Sequence, residues 1–212
     1  MNIALSSSIQ PAAVVLLAAA ARSLTYSRTE MDSQMNTDLS TDLNVVTIPA
    51  AGDYAVDRSR STISFTTRHL FGLAPVRGTF QLREAGIRVA EQIEQSSARA
   101  SIVAMTVDTG NATRDTAVRS ARYLDVEQYP DLSFASTALV EVDGRWVLRG
   151  LLTVCGRSCP LDVRVDAAQP DGSRLRLRAT SRIDRYEFGL TAMKGMAGRY
   201  LELRLDLVAD RT

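Results

Sequence analysis

The sequence predicts an all-β domain of about eight antiparallel strands with one short helix, closed into a barrel or folded into a sandwich. The first observation is a period of two after residue 52, clearest over 201–207, where leucines alternate with charged residues. Such alternation places one face of a strand in a core and the other in water. The second is turn signals such as Asp143-Gly144 between the alternating segments. The third is the chain length of 212 residues with 45% hydrophobic residues, which suits one such domain and a tail.

The strands follow one another as hairpins. The alternating segments are 54–57, 62–69, 75–83, 97–108, 132–142, 145–155, 159–168 and 173–183, with a last one at 199–209 that is a candidate partner of the first. Turns at 143–144, 156–158 and 171–172 make consecutive hairpins of the later strands. Residues 112–124 are good helix formers ahead of Pro130, and 191–198 form a Gly-rich loop.

The amino end, residues 1–52, is interpreted as a candidate signal segment followed by a flexible tail, with the barrel domain at 53–212. The apolar run at 12–21 is too short to span a bilayer, which takes about 20 residues, but it suits the apolar part of a signal peptide. Residues 1–10 carry no Lys or Arg, and Met31 and Met35 are alternative starts. Cytoplasmic and exported locations, periplasmic or secreted, therefore both stay open.

The composition argues against several classes of function. Lys and Arg number 25 against 24 Asp and Glu, which does not favour a nucleic-acid binder. His69, Cys155 and Cys159 are the histidine and cysteines of the whole sequence, too few for an ordinary zinc site, so no metal or cofactor is expected. The two cysteines flank a turn, and a disulfide is plausible in an exported protein, whereas free thiols are expected in the cytosol.

Six segments of the chain match, in order, motifs of one known family. They are DRSRSTISFTTRHL at 57–70, VRGTF at 76–80, VDTGNATRD at 107–115, YPDLSFAST at 129–137, LRGLLTVCGRSCPL at 148–161 and DRYEFGL at 184–190. In these segments the chain resembles the YceI family of lipocalin-like, polyisoprenoid-binding proteins. It departs from the family at Arg60, where a histidine is usual, and at Ala117-Val118, where His-Leu is usual.

The resemblance implies an extended eight-stranded antiparallel lipocalin-like barrel, open at one end. Its apolar bore would bind, store or transport a long isoprenoid, an isoprenoid quinone or a similar amphiphile, without covalent chemistry and therefore not as an enzyme. A barrel of eight strands either fills itself or holds one slim ligand, depending on the size of its inward residues. The candidate ligand-binding residues mix large and small side chains: Ile63, Phe65, His69, Phe80, Ala100, Ile102, Phe134, Leu148, Leu152 and Phe188.

Two alternatives use the same residues differently. His69 could contact a ligand head group or act as a general base of an enzyme, although a structural histidine at a strand end is favoured over both. The barrel could instead be fully packed and serve as a stress-related interaction module. Met193 and Met196 in the Gly-rich loop are interpreted as surface packing, with a lid over the entrance as the other reading. A homodimer is left open.

Overall fold

The structure, a computed structural model, describes residues 45–69 and 74–212, without the side chain of His69. The predicted signal run at 12–21 and both alternative starts lie outside the described residues. One helix, α1 (Ala112–Arg119), and a short 3-10 helix (Ile93–Gln95) accompany the strands. The strands are β1 (Gly52–Val56), β2 (Thr62–His69), β3 (Ala74–Val89), β4 (Ser97–Asp108), β5 (Asp131–Val142), β6 (Arg145–Val154), β7 (Arg157–Asp171), β8 (Arg174–Asp184) and β9 (Tyr200–Arg211).

The strands close into an antiparallel barrel. The sheet runs β1-β3-β2-β9-β8-β7-β6-β5-β4, and a further pairing of β3 with β4 joins its two ends. Both β1 and β2 pair with β3 on one side and β9 on the other, so they share one strand position and the barrel has eight positions. The predicted fold class, an all-β eight-stranded antiparallel barrel with one helix, is therefore confirmed.

A tight turn at 57–61 separates β1 from β2 within their shared position. The Asp57 carboxylate accepts hydrogen bonds from the Ser59 hydroxyl at 2.6 Å and from Arg60 Nε at 2.6 Å. These bonds, with that of Ser59 foremost, hold the pKa of Asp57 below its usual range. Arg60 also contacts Asp210 on β9 at 2.5 Å and so ties the turn to the neighbouring strand.

Two hairpin turns place both of their central residues at positive φ. These pairs are Asp143-Gly144, at 51° and 71°, and Cys155-Gly156, at 50° and 71°. Positive φ at both positions follows the right-handed twist of the flanking strands. The second turn is one of two residues and not the expected 156–158, because β7 already begins at Arg157.

Helix α1 is shorter than the expected 112–124. It begins where the Asn111 side chain accepts a hydrogen bond from the Arg114 N–H at 3.0 Å. It ends at Arg119, where Ser120 adopts an extended conformation and its hydroxyl donates to the Ala117 carbonyl. The remaining residues, 120–129, form turns that lead into β5.

The interior contains two apolar clusters. The first includes Leu124 and Val126, which follow α1, together with Phe188 from the β8–β9 loop. The second includes Tyr54 of β1 and Leu175 at the start of β8. We call the barrel end at α1 and the β8–β9 loop the packed end, and the opposite end, at β1 and the turn between β7 and β8, the open end. Three partly buried side chains contact both clusters and mark the boundary: Phe80, Ile102 and Leu205.

Candidate functional site

The open end of the barrel holds an apolar cavity of about 230 Å³. All nine strands contribute lining residues, and polar side chains among them belong to Ser96, Ser97 and Arg99. The lining includes these apolar residues: Val56, Ile63, Leu82, Ala85, Ile87, Ala98, Ala100, Ile102, Phe134, Leu139, Trp146, Leu148, Leu152, Leu161, Val163, Leu175, Leu177 and Leu205. Such a wall favours a hydrocarbon chain and offers little to a charged ligand.

The cavity exists because one wall of the barrel carries small inward side chains. Ala85 on β3 pairs with Ala100 on β4, and Ile87 pairs with Ala98. On its other side Ala100 pairs with Phe134 of β5. Alanine projects a single carbon into the interior, so this wall leaves space that larger residues elsewhere in the barrel do not fill.

Aromatic rings close the inner limit of the cavity. The rings of Phe65 and Phe80 lie 5.5 Å apart, and a Cβ added at Gly78 would stand 2.4 Å from the Phe65 ring. A Cβ at Gly150 would stand 2.5 Å from the ring of Phe134. The two glycines therefore let the rings of Phe65 and Phe134 lie directly on the backbone of a neighbouring strand. The Phe134 ring borders the cavity, whereas the Phe65 ring is absent from its lining.

The cavity has room for a short hydrocarbon segment. An apolar cavity of about 150 Å³ binds one benzene molecule, so 230 Å³ corresponds to roughly nine carbon atoms, or about two isoprene units. Sites for drug-sized ligands are larger, at about 300–1,000 Å³. A longer chain must therefore extend beyond the enclosed space.

The mouth of the cavity is bordered by two segments outside the strands. Val46, Ile48 and Pro49 precede β1, and Ile93 belongs to the 3-10 helix between β3 and β4. The buried hydroxyl of Ser96 accepts a hydrogen bond from the Ala90 N–H at 3.0 Å, which fixes the end of the 3-10 segment. The mouth is therefore formed of ordered backbone and mainly apolar side chains.

The predicted site residues fall into three groups. Phe65 and Phe188 are 7% and 5% exposed and, with Phe80, are absent from the cavity lining. His69 is the last residue of β2 and pairs with Ala74, and its side chain lies outside the described part of the chain. Six of the predicted residues line the cavity: Ile63, Ala100, Ile102, Phe134, Leu148 and Leu152.

Several lining residues were missed by the sequence prediction. Val46 and Ile48 come from the expected tail, and Ala85 and Ile87 lie on the part of β3 beyond the predicted strand end at residue 83. For β3 a signal existed, because Ala85, Ile87 and Val89 continue an alternating pattern. For residues 45–49 the sequence shows no periodicity.

The Gly-rich loop lies at the packed end, away from the cavity. Met193 and Met196 are exposed and do not line the cavity. The buried guanidinium of Arg185 holds this loop by donating to four backbone carbonyls, those of Gly198 at 2.7 Å, Ala192 at 2.9 Å, Ala197 at 3.2 Å and Leu190. The contacts give the loop a structural anchor.

The two cysteines are free thiols with separate partners. Cys155 Sγ lies 3.2 Å from the Leu124 carbonyl oxygen, and Cys159 Sγ lies 3.5 Å from that of Glu187. Burial, assisted by the charge of Asp125, raises the pKa of the Cys155 thiol. No cluster of three or more His, Cys, Asp or Glu suited to a metal ion occurs in the described ranges. Among the same residues, no helix has the length and apolar character needed to cross a membrane.

Comparison with known proteins finds one family over most of the chain. The family model of the YceI-like domain matches residues 54–209. A UPF0312 protein of Vibrio cholerae is 28% identical over 173 residues, covering 76% of this chain and 90% of the relative. A UPF0312 protein of Serratia proteamaculans is 30% identical over 169 residues, covering 76% and 88%.

Solved structures share the fold at lower sequence identity. BcnA of Burkholderia cenocepacia superposes with a TM-score of 0.66 at 21% identity, covering 72% of this chain and 98% of BcnA. A polyisoprenoid-binding domain from Saccharophagus degradans superposes with a TM-score of 0.60 at 14% identity, covering 75% and 98%.

Proposed function

We propose, since the chain belongs to the YceI family, that its barrel binds a long apolar molecule such as an isoprenoid, an isoprenoid quinone or a similar amphiphile, for storage or transport. The observation that carries the proposal is the cavity at the open end, whose wall is almost entirely apolar. A binding role for a related fold is stated in the name of the Saccharophagus degradans polyisoprenoid-binding domain. The role is binding and not catalysis.

The residues proposed to touch the ligand are those that line the cavity. Ala85, Ala98 and Ala100 provide space, while Phe134 and Trp146 provide flat apolar surface. Phe65, Phe80 and Phe188 do not line the space: Phe80 packs against both apolar clusters and against the Phe65 ring, and Phe188 belongs to the first cluster. His69 ends β2 at the packed end, so its proposed contact with a ligand requires a chain that passes the aromatic rings.

The energy of the enclosed segment is modest. Each buried methylene contributes about 0.8 kcal/mol, so roughly nine carbons contribute about 7 kcal/mol. Loss of translational and rotational freedom offsets much of this, at an estimated 4–15 kcal/mol. Tight binding therefore requires a chain that makes contacts beyond the enclosed space, which favours a long ligand over a short one.

Lipid extraction followed by mass spectrometry tests the proposal. The full chain is purified without detergent, and its extract is compared with those of two variants, Leu152→Arg and Leu151→Arg. Leu152 is 6% exposed and lines the cavity, whereas its neighbour Leu151 is 43% exposed on the outer face. A long-chain apolar compound should accompany the wild type and Leu151→Arg and be lost from Leu152→Arg.

The outcomes separate the proposal from a packed barrel. An extract of the wild type without any such compound, together with no binding of added solanesol, a long isoprenoid alcohol, would overturn the proposal. Binding of solanesol is followed by the fluorescence of Trp146, the single tryptophan of the chain, which lines the cavity. If Leu152→Arg does not fold, the cavity-filling variant described in the Discussion provides the same test.

A further inference from the structure

Residues 45–49, named the strap, lie against β7 at the mouth of the cavity. The Thr47 N–H donates to the Ala168 carbonyl at 2.8 Å, and the Ala168 N–H donates to the Val45 carbonyl at 3.1 Å. Val46 and Ala168 thereby pair as a parallel bridge, and both line the cavity together with Ile48 and Pro49. The strap is thus part of the cavity wall.

The strap can pair here because β7 extends beyond its neighbour β6. The pairing of β6 with β7 reaches Arg164 at one end, opposite Val147, and β7 continues to Asp171. On the other side, Ala168 pairs with Leu177 of β8. Its edge toward β6 is therefore available, and the strap satisfies backbone groups that would otherwise face water.

The strap is firmly fixed at its carboxyl end and lightly held elsewhere. The Tyr54 hydroxyl donates to the Ala50 carbonyl at 2.7 Å, which fixes the chain just before β1. Toward the amino end, Val45 is 45% exposed and Ile48 is 56% exposed, so their side chains are only partly buried. A segment held by two backbone hydrogen bonds and half-buried side chains opens at low free-energy cost compared with a barrel strand.

A long ligand and the closed strap compete for the same place. The enclosed space accommodates roughly nine carbon atoms and is not lined by Phe65 or Phe80, whose rings lie 5.5 Å apart toward the packed end. The remainder of a longer chain must then leave through the mouth, where Val46, Ile48 and Pro49 lie. Differential affinity of the ligand for the open form shifts the strap toward that form.

We propose that the strap is a length-dependent gate: short apolar molecules bind beneath the closed strap, whereas long chains bind only when the strap leaves β7. The inference rests on the proposed function, because it concerns access to the same cavity. It assigns regulation of that site to residues 45–49 and selection of ligand length to the contact between the strap and Ala168.

A reversible disulfide across the bridge tests the gate. In a chain carrying Cys155→Ser and Cys159→Ala, the substitutions Val46→Cys and Ala168→Cys place two thiols at paired strand positions, within the range that a disulfide requires. Two probes are titrated by Trp146 fluorescence and native mass spectrometry: geraniol, an alcohol of two isoprene units, and solanesol. Oxidation should weaken solanesol binding by at least about tenfold and leave geraniol binding within about twofold, and reductant should restore solanesol binding.

The outcomes distinguish the gate from the site. Equal solanesol binding by oxidised and reduced protein overturns the gate but leaves the proposed binding function of the cavity unaffected. Failure of both probes to bind even the reduced protein and the wild type overturns the proposed function itself and the gate with it. Equal weakening of both probes by oxidation also overturns the gate, because it shows a general loss of the site without selection by length.

A second variant keeps the test open if the engineered disulfide does not form. Thr47→Pro removes the N–H that donates to Ala168, whereas Thr47→Val changes the exposed side chain and keeps that N–H. Thr47→Pro should accelerate solanesol association several-fold over the wild type, and Thr47→Val should not. Identical association rates for the two variants would overturn the gate.

Discussion

Filling the cavity from its thin wall should abolish binding without unfolding the protein. Ala100→Phe places a phenyl ring between Ala85 and Phe134, the residues that pair with Ala100 on either side. A ring of this size occupies about 150 Å³ of the 230 Å³ cavity. Because the ring enters existing space, the strain that usually accompanies a small-to-large change in a filled core is largely absent.

The magnitude follows from the carbon atoms that the ring displaces. Six carbons of ligand lose their place in the cavity, and at about 0.8 kcal/mol each the binding free energy falls by about 5 kcal/mol. At 1.4 kcal/mol per decade this corresponds to a more than thousandfold weakening. Thermal stability should be unchanged or slightly raised, since the new ring buries apolar surface in the interior.

The assay compares Ala100→Phe with Ala135→Phe. Ala135 is the exposed residue next to Phe134 on β5, so its side chain points to the outer face of the barrel. Geraniol and solanesol binding are followed by Trp146 fluorescence, and stability by thermal unfolding. The reasoning is refuted if Ala100→Phe folds and still binds both probes as the wild type does, because the ligand would then lie elsewhere.

Three further outcomes are expected. Gly150→Ala should lower the free energy of unfolding by about 2 kcal/mol, since its Cβ would stand 2.6 Å from a backbone oxygen. Gly86→Ala, whose Cβ would have its nearest atom at 3.9 Å, should not destabilise the protein. Thermal unfolding of both variants checks this. Arg185→Gln should release the Gly-rich loop, because the hydrogen bonds from the guanidinium to the loop carbonyls are lost. A lysine-specific protease should then cut the native protein at Lys194, its single lysine, faster than it cuts the wild type. Equal cleavage rates would contradict the role of Arg185 in holding the loop. The raised pKa of Cys155 keeps its thiol protonated, so alkylation of this thiol should be slower at neutral pH than alkylation of an exposed cysteine. The rate should rise only at more alkaline pH. Mass spectrometry of timed samples measures the rate at each pH.

Alternation of apolar and polar residues predicted most strands, because a strand with one buried face keeps its inward residues at every second position. It failed at β3, where the expected segment ended at residue 83 and the strand continues to Val89. A register shift between Leu82 and Glu84 marks a β-bulge. The inward residues change there from even numbers, such as Leu82, to odd numbers, such as Ala85. A single inserted residue reverses the parity of the pattern, and sequence alternation read in one frame stops at that point.

The strap could not be predicted for a different reason. Residues 45–49 have no periodicity, and their ordering depends on the edge of β7 that β6 leaves available. That edge depends on the relative lengths of β6 and β7, which lie about 100 to 120 residues further along the chain. Local sequence carries information on strand propensity, whereas the availability of a partner edge is a property of the assembled barrel.

An apolar bore was expected and six of its lining residues were named, but the extent of the cavity could not be predicted. Periodicity assigns residues to a face, but the volume left inside depends on how the side chains from all strand positions fill the bore. Phe65 and Phe134 illustrate the difference, since both were expected in the site and both face inward. Phe134 borders the space because it faces Ala100, whereas the ring of Phe65 lies over Gly78 and fills its own end of the barrel.

The division into a packed end and an open end explains how such a barrel can fold without its ligand and still accept one. Leu124, Val126 and Phe188 of the packed end are buried without lining the cavity, so their apolar burial does not depend on it. The open end lacks this filling because its wall carries alanines, and a ligand therefore adds apolar contacts that the chain alone does not make. Geraniol, which binds beneath the closed strap, should stabilise the open end preferentially, so hydrogen exchange at the strap and at β1 should slow more than at α1. Uniform slowing across the barrel would indicate that the two ends unfold as one unit and would remove the basis for a gate that opens alone.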